Sequence, residues 1–400
     1  MIGALARDAV RLLLRGRPVF LLLAVALVCG LFVRATRDVG VARLKGAVLP
    51  GAALETLAST VFLLAVAWGV VAGLLLAHED RASGFFTHLA VRPVGRATVV
   101  IGRLAGLFLA TVLALVPLGA VVAVVAGLGE RDLPTLRERV RPTAVQVGRA
   151  PLEAGAIGHV ARGSPGRFVF APGTRADATL RLRPKIPIGA AFSGRIALRV
   201  DYQPVSGASR TWEPEPFRPL RELVLHFDEA PGAGYALVVE PRDDTFVLEV
   251  DREALTAIGG TAPLAVELVL ASLLVLGAGW IAAALAFFFG VGLSAGPASL
   301  AAAFVALVAM GRAAVLDIVA GIGATGADGG DPSAFLRWVR STLTHLVRLV
   351  PDLARFNPAA RLGEGEALPA ADLLAPAVAL LVTVGAVGLL TIAVLPFKER

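Results

Sequence analysis

The chain has 400 residues, of which 56% are hydrophobic and only 17% charged, and a mean hydropathy of +0.75. A soluble globular protein carries about a quarter of charged residues, so that class is excluded. The net charge of +7 comes from arginines set beside apolar runs, which suits anionic lipid headgroups and argues against a nucleic-acid partner. A single cysteine, Cys29, rules out an intramolecular disulfide.

In chain order, the first element is a basic amphipathic helix. Arg7, Arg11 and Arg15 fall four apart on one face, with Leu5, Leu12 and Leu13 largely elsewhere, and the helix is expected to lie on a membrane surface. The apolar run Pro18–Val33 then follows a basic stretch, as in a signal peptide. No small-x-small cleavage site follows it, and Val28 spoils the lipoprotein box Ala26-Leu27-Val28-Cys29. An uncleaved span flanked by Arg17 and Arg34 is predicted. Thr56–Ala77 and Leu104–Leu128 each suffice to cross about 30 Å of hydrocarbon, the second with a kink at Pro117.

From about 130 to 262 the period changes to two. Arg167–Phe170, Thr179–Arg183, Arg195–Tyr202, Glu222–Asp228, Tyr235–Glu240 and Thr245–Val250 alternate, separated by turns such as Ala230–Gly234 and Pro241–Asp244. Short alternating strands with frequent turns predict a compact β-sandwich-like domain. Beyond it, Leu268–Gly311 is uncharged over twice one crossing, broken at the Gly290–Pro297 turn, and Leu373–Leu395 is the last apolar run. The expectation is an α-helical polytopic membrane protein of six spans, three and three, with an inserted all-β domain. Its parts are 1–129, 130–262 and 263–400. Within the last part, 331–368 reads as an amphipathic helical segment carrying Arg337, Arg340 and Arg348, lying along the membrane.

Six spans place both termini on one side. Arg7, Arg11, Arg15 and Arg17, with Arg81, Arg92, Arg96 and Arg103 after the second span, favour a cytoplasmic N-terminus and an extracytoplasmic β domain. Arg37, Arg43 and Lys45 in the first loop pull the other way.

Motifs of chemistry are scarce. Gly292-Leu293-Ser294-Ala295-Gly296 matches the nucleophile-elbow pattern, yet both flanks read as membrane helix and no base lies nearby, so a helix turn is expected. His78, His88, His159, His226 and His345 are scattered without metal spacing, and Asp243-Asp244 reads as a hairpin turn as readily as a cation site. No G-x-x-x-x-G-K-[ST] loop is present. The chain is therefore expected not to be an enzyme and to hold no cofactor or metal. Glu267, Arg312 and Asp317 near span ends read as interfacial anchors or an ion pair. Gly69-x-x-x-Gly73 and Gly102-x-x-x-Gly106 allow helices to approach closely, within the chain or between two copies.

One segment carries more information. It runs His78-Glu79-Asp80-Arg81-Ala82-Ser83-Gly84, continues to Leu89-Ala90-Val91-Arg92-Pro93-Val94-Gly95-Arg96, and ends in Gly102-Arg103-Leu104-Ala105-Gly106. It resembles the permeases of type-2 ABC transporters. Their second span ends in an acidic residue followed by a Ser/Thr-Gly step, a Leu-x-x-Arg/Lys-Pro-Val-x-Arg turn and a Gly-Lys/Arg-Leu-x-Gly start to the third span. Phe287–Ser294 resembles that family's break between fourth and fifth spans. Leu349–Asn357 resembles its Pro-Asn/Asp-Leu-x-x-Phe step, and Pro396–Arg400 its short basic tail. The resemblance covers the six spans and not the β domain. It implies a permease subunit of an ATP-driven exporter in a bacterial inner membrane, acting as a homodimer or heterodimer with separate cytoplasmic ATPase subunits. Glu79, Gly84, Arg92, Pro93, Arg96 and Arg103 would form the ATPase-coupling loop. The rival expectation is a non-transporting membrane scaffold that anchors a β-domain for binding a partner.

Overall fold

The computed structural model describes residues 1–14, 17–43, 50–85, 95–126, 137–140, 142–153, 158–171, 178–180, 183–185, 197–205, 209–213, 223–225, 234–242, 247–250, 255–261, 263–321, 334–363, 367–368 and 370–395. They belong to two compact units: Met1–Pro134 joined with Leu264–Arg400, and Thr135–Pro263.

The first unit is helical, because an apolar chain in hydrocarbon has to bond its backbone groups within each segment. Its helices are α1 (Ile2–Leu14), α2 (Arg17–Arg43), α3 (Pro50–Ala82), α4 (Arg96–Ala126) and α5 (Leu264–Gly292). Then come α6 (Ala295–Met310), α7 (Arg312–Gly321), α8 (Ala334–Leu349), α9 (Ala359–Gly363) and α10 (Ala370–Val394). A 3-10 turn, Leu353–Phe356, precedes α9.

The core is the contact of α3 with α5. Trp68, Ala72 and Leu76 of α3 are fully buried, as are Ala278, Ile281 and Phe287 of α5. A Cβ on Gly69 would stand 2.2 Å from the Gly279 carbonyl oxygen, and one on Gly73 2.2 Å from that of Ala283, so the two backbones touch because glycine is there. Helix α1 lies on α4 by the same device: a Cβ on Gly102 would meet Leu5 Cβ at 2.7 Å, and one on Gly106 would meet Ala9 Cβ at 2.6 Å. Both small-residue pairs singled out in the sequence are thus filled by helices of the same chain. Hydroxyls inside the helices are satisfied by the carbonyl four residues back, as Thr111 is by Leu107 and Thr391 by Val387, each at 2.7 Å.

Among the described residues four helices are long and apolar enough to cross a bilayer: Leu54–Ala82, Arg96–Val124, Ala265–Gly292 and Leu373–Val394. The pair α6 and α7, bent by 82°, makes a fifth if counted as one span. The chain is a multi-pass membrane protein. The expected first span is a 27-residue helix, α2, whose apolar stretch among the described residues is Leu23–Ala35. The expected fifth span is shortened because α6 stops after sixteen residues at Gly311. Sixteen residues extend about 24 Å, less than the roughly 30 Å hydrocarbon core.

The amphipathic helical segment expected over 331–368 is in part what the described residues form. Only α8 is a long amphipathic helix; Pro351 and Pro358 then break the chain into the 3-10 turn and α9. The Asn357 side chain accepts the Ala359 N–H at 3.0 Å and caps α9. Phe356 packs over Gly277 of α5, where a Cβ would find its ring at 3.2 Å.

The second unit is antiparallel. Its strands among the described residues are β1 (Arg137–Val140), β2 (Ala144–Val147), β3 (Ala150–Pro151), β4 (Gly158–Val160), β5 (Gly166–Phe170), β6 (Ala178–Leu180), β7 (Arg183–Lys185), β8 (Leu198–Pro204), β9 (Arg210–Trp212), β10 (Leu223–Leu225), β11 (Tyr235–Pro241), β12 (Val247–Val250) and β13 (Leu255–Thr261). They form a six-stranded sheet β3-β2-β5-β11-β8-β9, a four-stranded sheet β1-β13-β6-β10 and a three-stranded one β4-β12-β7. Alternation builds its core: in β5 (Gly166–Phe170) Phe168 and Phe170 are buried and Arg167 exposed. In β8 (Leu198–Pro204) Leu198, Val200 and Tyr202 are buried and Arg199 exposed. The central strand β11 (Tyr235–Pro241) pairs with both, and Tyr235 stacks on Phe170 with ring centroids 5.0 Å apart. The expected strands at 179–183, 222–228 and 245–250 correspond to β6 (Ala178–Leu180), β7 (Arg183–Lys185), β10 (Leu223–Leu225) and β12 (Val247–Val250). Alternation did not mark β1 (Arg137–Val140), β2 (Ala144–Val147), β3 (Ala150–Pro151), β4 (Gly158–Val160), β9 (Arg210–Trp212) or β13 (Leu255–Thr261). Most are too short for a period to register, and Gly259-Gly260 obscures it in the last.

Candidate functional site

The segment joining α3 to α4 is built from its two ends. At the end of α3 the Ser83 hydroxyl and amide both donate to the Glu79 carbonyl, at 2.7 and 2.9 Å. Gly84 then adopts φ +66°, and its amide donates to the Arg81 carbonyl at 3.1 Å. That left-handed stop is why glycine stands here. At the other end the Thr98 amide donates to the Gly95 carbonyl at 3.0 Å and opens α4. Arg92 and Pro93 lie outside the described residues.

The remaining expected coupling residues divide. The Glu79 side chain is exposed on α3, and Arg96, the first residue of α4, is half-buried. Arg103 is not on the loop at all. It sits two turns inside α4, 1% exposed, and its guanidinium joins three helices. One terminal nitrogen donates to Asp80 Oδ1 of α3 at 2.5 Å. The other donates to Asp8 Oδ2 of α1 at 2.9 Å and to the Leu5 carbonyl at 3.3 Å. The guanidinium carbon lies 4.1 Å from the centroid of the Phe85 ring, the last described residue before 86–94. Only a planar fork with several donors reaches two carboxylates, a carbonyl and an aromatic face at once, so lysine would not serve.

Sequence reasoning missed Asp80, Asp8 and Phe85. The signal for Asp80 was available: it falls four and eight residues after Leu76 and Ala72, both fully buried, so it lies on the apolar stripe of α3 while Glu79 points out. Asp80 is 1% exposed and its second oxygen has no protein partner, nor has Arg103 Nε. A buried pair of this kind fixes geometry more than it adds stability.

Other contacts stiffen the same end of the unit. Arg81 donates to the Leu293 carbonyl in the turn between α5 and α6. Trp280 of α5 donates from its indole to the Leu104 carbonyl at 3.0 Å and lies 4.9 Å from the Phe108 ring. At the opposite end buried Glu267 accepts the Leu368 N–H at 2.5 Å, and Arg312 donates to the Arg348 carbonyl at 3.2 Å. Glu267 thus ties the start of α5 to the chain just before α10, and Arg312 ties the start of α7 to the end of α8.

Ser294 stands in extended backbone between two helices, with no strand before it, so the elbow geometry of an acyl-transfer nucleophile is not met. His78 on α3, His159 on β4 and His345 on α8 are exposed, while His88, His226, Asp243 and Asp244 lie outside the described residues. Among the described residues no three His, Cys, Asp or Glu side chains converge as metal ligands do.

No protein-family model matches the sequence, and no curated protein or solved structure matches it either. Its function has to be read from its own residues.

Proposed function

We propose that the chain is the membrane-spanning permease subunit of an ATP-driven exporter of the type-2 ABC class. It works through six spans in a bacterial inner membrane, as a dimer with separate cytoplasmic ATPase subunits. The reading is supported by the order of the motifs around 79–106. The observation that carries it is the Arg103 junction, which gives those motifs a mechanical purpose.

A permease has to turn a push at its cytoplasmic face into a change of helix arrangement. The segment 86–94, with Arg92 and Pro93, would receive that push from the ATPase. Phe85 lies against Arg103, and Arg103 holds α1, α3 and α4 together, so the three would move as one block. The glycine contact of α3 with α5 would carry the displacement into the second half of the chain.

The test is the ATPase rate of the purified complex carrying Arg92→Ala with Arg96→Ala. The rate is expected to fall several-fold while the complex still assembles; an unchanged rate would remove the coupling role. The scaffold reading draws on one observation, that Thr135–Pro263 has a hydrophobic core of its own. It gains if the chain purifies without any ATPase.

A further inference from the structure

We propose that a cavity of about 390 Å³ between α3, α4 and α5 is a binding site for one acyl chain of a membrane phospholipid. Its walls are Ala58 and Val61 of α3, Gly119 and Ala123 of α4, and Ala271 of α5, with Leu362 of α9 closing one side. The one side-chain hydroxyl among its lining residues, Ser272, is satisfied by the Leu268 carbonyl at 2.7 Å. Nothing in the walls asks for water, and an apolar cavity even of about 150 Å³ stays dry and takes up an apolar ligand instead.

The opening decides which ligand. Val116 and Leu268 line the cavity and are also exposed, 66% and 38%. Val124, Val269 and Leu273 are exposed on the same two helices. These helices are long and apolar enough to cross a bilayer, so in a single copy of the chain the mouth opens toward hydrocarbon. A flexible hydrocarbon chain entering from the bilayer fits, and it restores the dispersion contacts an empty space would forfeit. The site follows from the membrane-crossing helices alone and does not depend on the permease reading.

Gly119 is the lever for a test. A Cβ there would find its nearest neighbour, Val61 Cγ1, at 3.9 Å, so a larger side chain enters the cavity without striking backbone. The full chain is placed in nanodiscs of phospholipid bearing a photoactivatable acyl chain, irradiated and digested, and the labelled peptides are mapped. Labelling is expected on the walls from α3, α4 and α5, above that around exposed Leu300 and Leu381. It should drop several-fold in Gly119→Leu and in Ala120→Leu, with Tm unchanged or raised and labelling at the outer faces unaltered. Wall labelling no higher than at the outer faces, or equal in wild type and whichever variants fold, would overturn the site. So would a crosslink between two copies through α4, which would make the occupant a protein. Native mass spectrometry of delipidated wild type with one phospholipid retained, and lost in either variant, gives the same decision independently.

Discussion

Arg103 and Asp80 are each 1% exposed and bonded to one another inside the membrane unit. Replacing Arg103 with methionine keeps the apolar stem and strands Asp80 as an unpaired buried carboxyl. A loss of about 3–5 kcal/mol is expected, read as a lower Tm in detergent. Adding Asp80→Leu should recover most of that loss, because two apolar side chains then replace the pair. Recovered stability without recovered ATPase activity in the complex would separate the junction's mechanical role from its structural one. Asp8, 55% exposed, is the lesser partner, and Asp8→Ala should cost about 1 kcal/mol or less. Arg103 was legible in the sequence as part of the motif, but its place was not. The motif stood at the start of the third span and the implied role counted Arg103 with the coupling loop, whereas the stripe of buried positions ending in Asp80 put its partner inside α3.

At the scale of elements, the contrast between glycines gives the clearest test. Gly73 lets α3 touch α5, and Gly73→Val places a Cβ against a backbone carbonyl that cannot move aside. Destabilisation of at least about 1–3 kcal/mol is expected from thermal unfolding. Gly119→Ala meets no such contact and should stabilise by roughly 0.5–1 kcal/mol, since glycine in a helix interior has more backbone freedom to lose. Helix α8 exposes Phe335, Trp338, Leu346 and Leu349 on one side and carries Arg337, Arg340 and Arg348 on the other. In a variant whose only tryptophan is Trp338, brominated lipid is expected to quench its fluorescence. Preferential quenching by aqueous iodide would place α8 away from the membrane surface. The amphipathic period of α8 was legible in the sequence, but the 3-10 turn and α9 after it were not. Their order comes from Pro351 and Pro358, and from the fit of Phe356 over Gly277 near the middle of α5, a contact no local pattern encodes.

Across the whole molecule, two units with separate hydrophobic cores share one chain. Phe168, fully buried in the second unit, is expected to cost about 3–5 kcal/mol when cut to alanine. Limited proteolysis should then accelerate within Thr135–Pro263 and leave the membrane helices intact; equal acceleration in both would mean they unfold together. The boundary between the units was visible as a change of period from helical to two. The number of spans was less so, since an uncharged run of two crossings, Leu268–Gly311, contains a sixteen-residue α6 that stops short. What this membrane unit does turns on whether an ATPase works with it. Affinity purification of the tagged chain in mild detergent, with mass spectrometry and an ATPase assay on the eluate, addresses it most directly. Recovery of a soluble ATP-binding cassette subunit with vanadate-sensitive ATPase activity is expected. A preparation free of any ATPase, even after crosslinking in intact membranes, would contradict the permease reading and leave the helices as an anchor for the β unit.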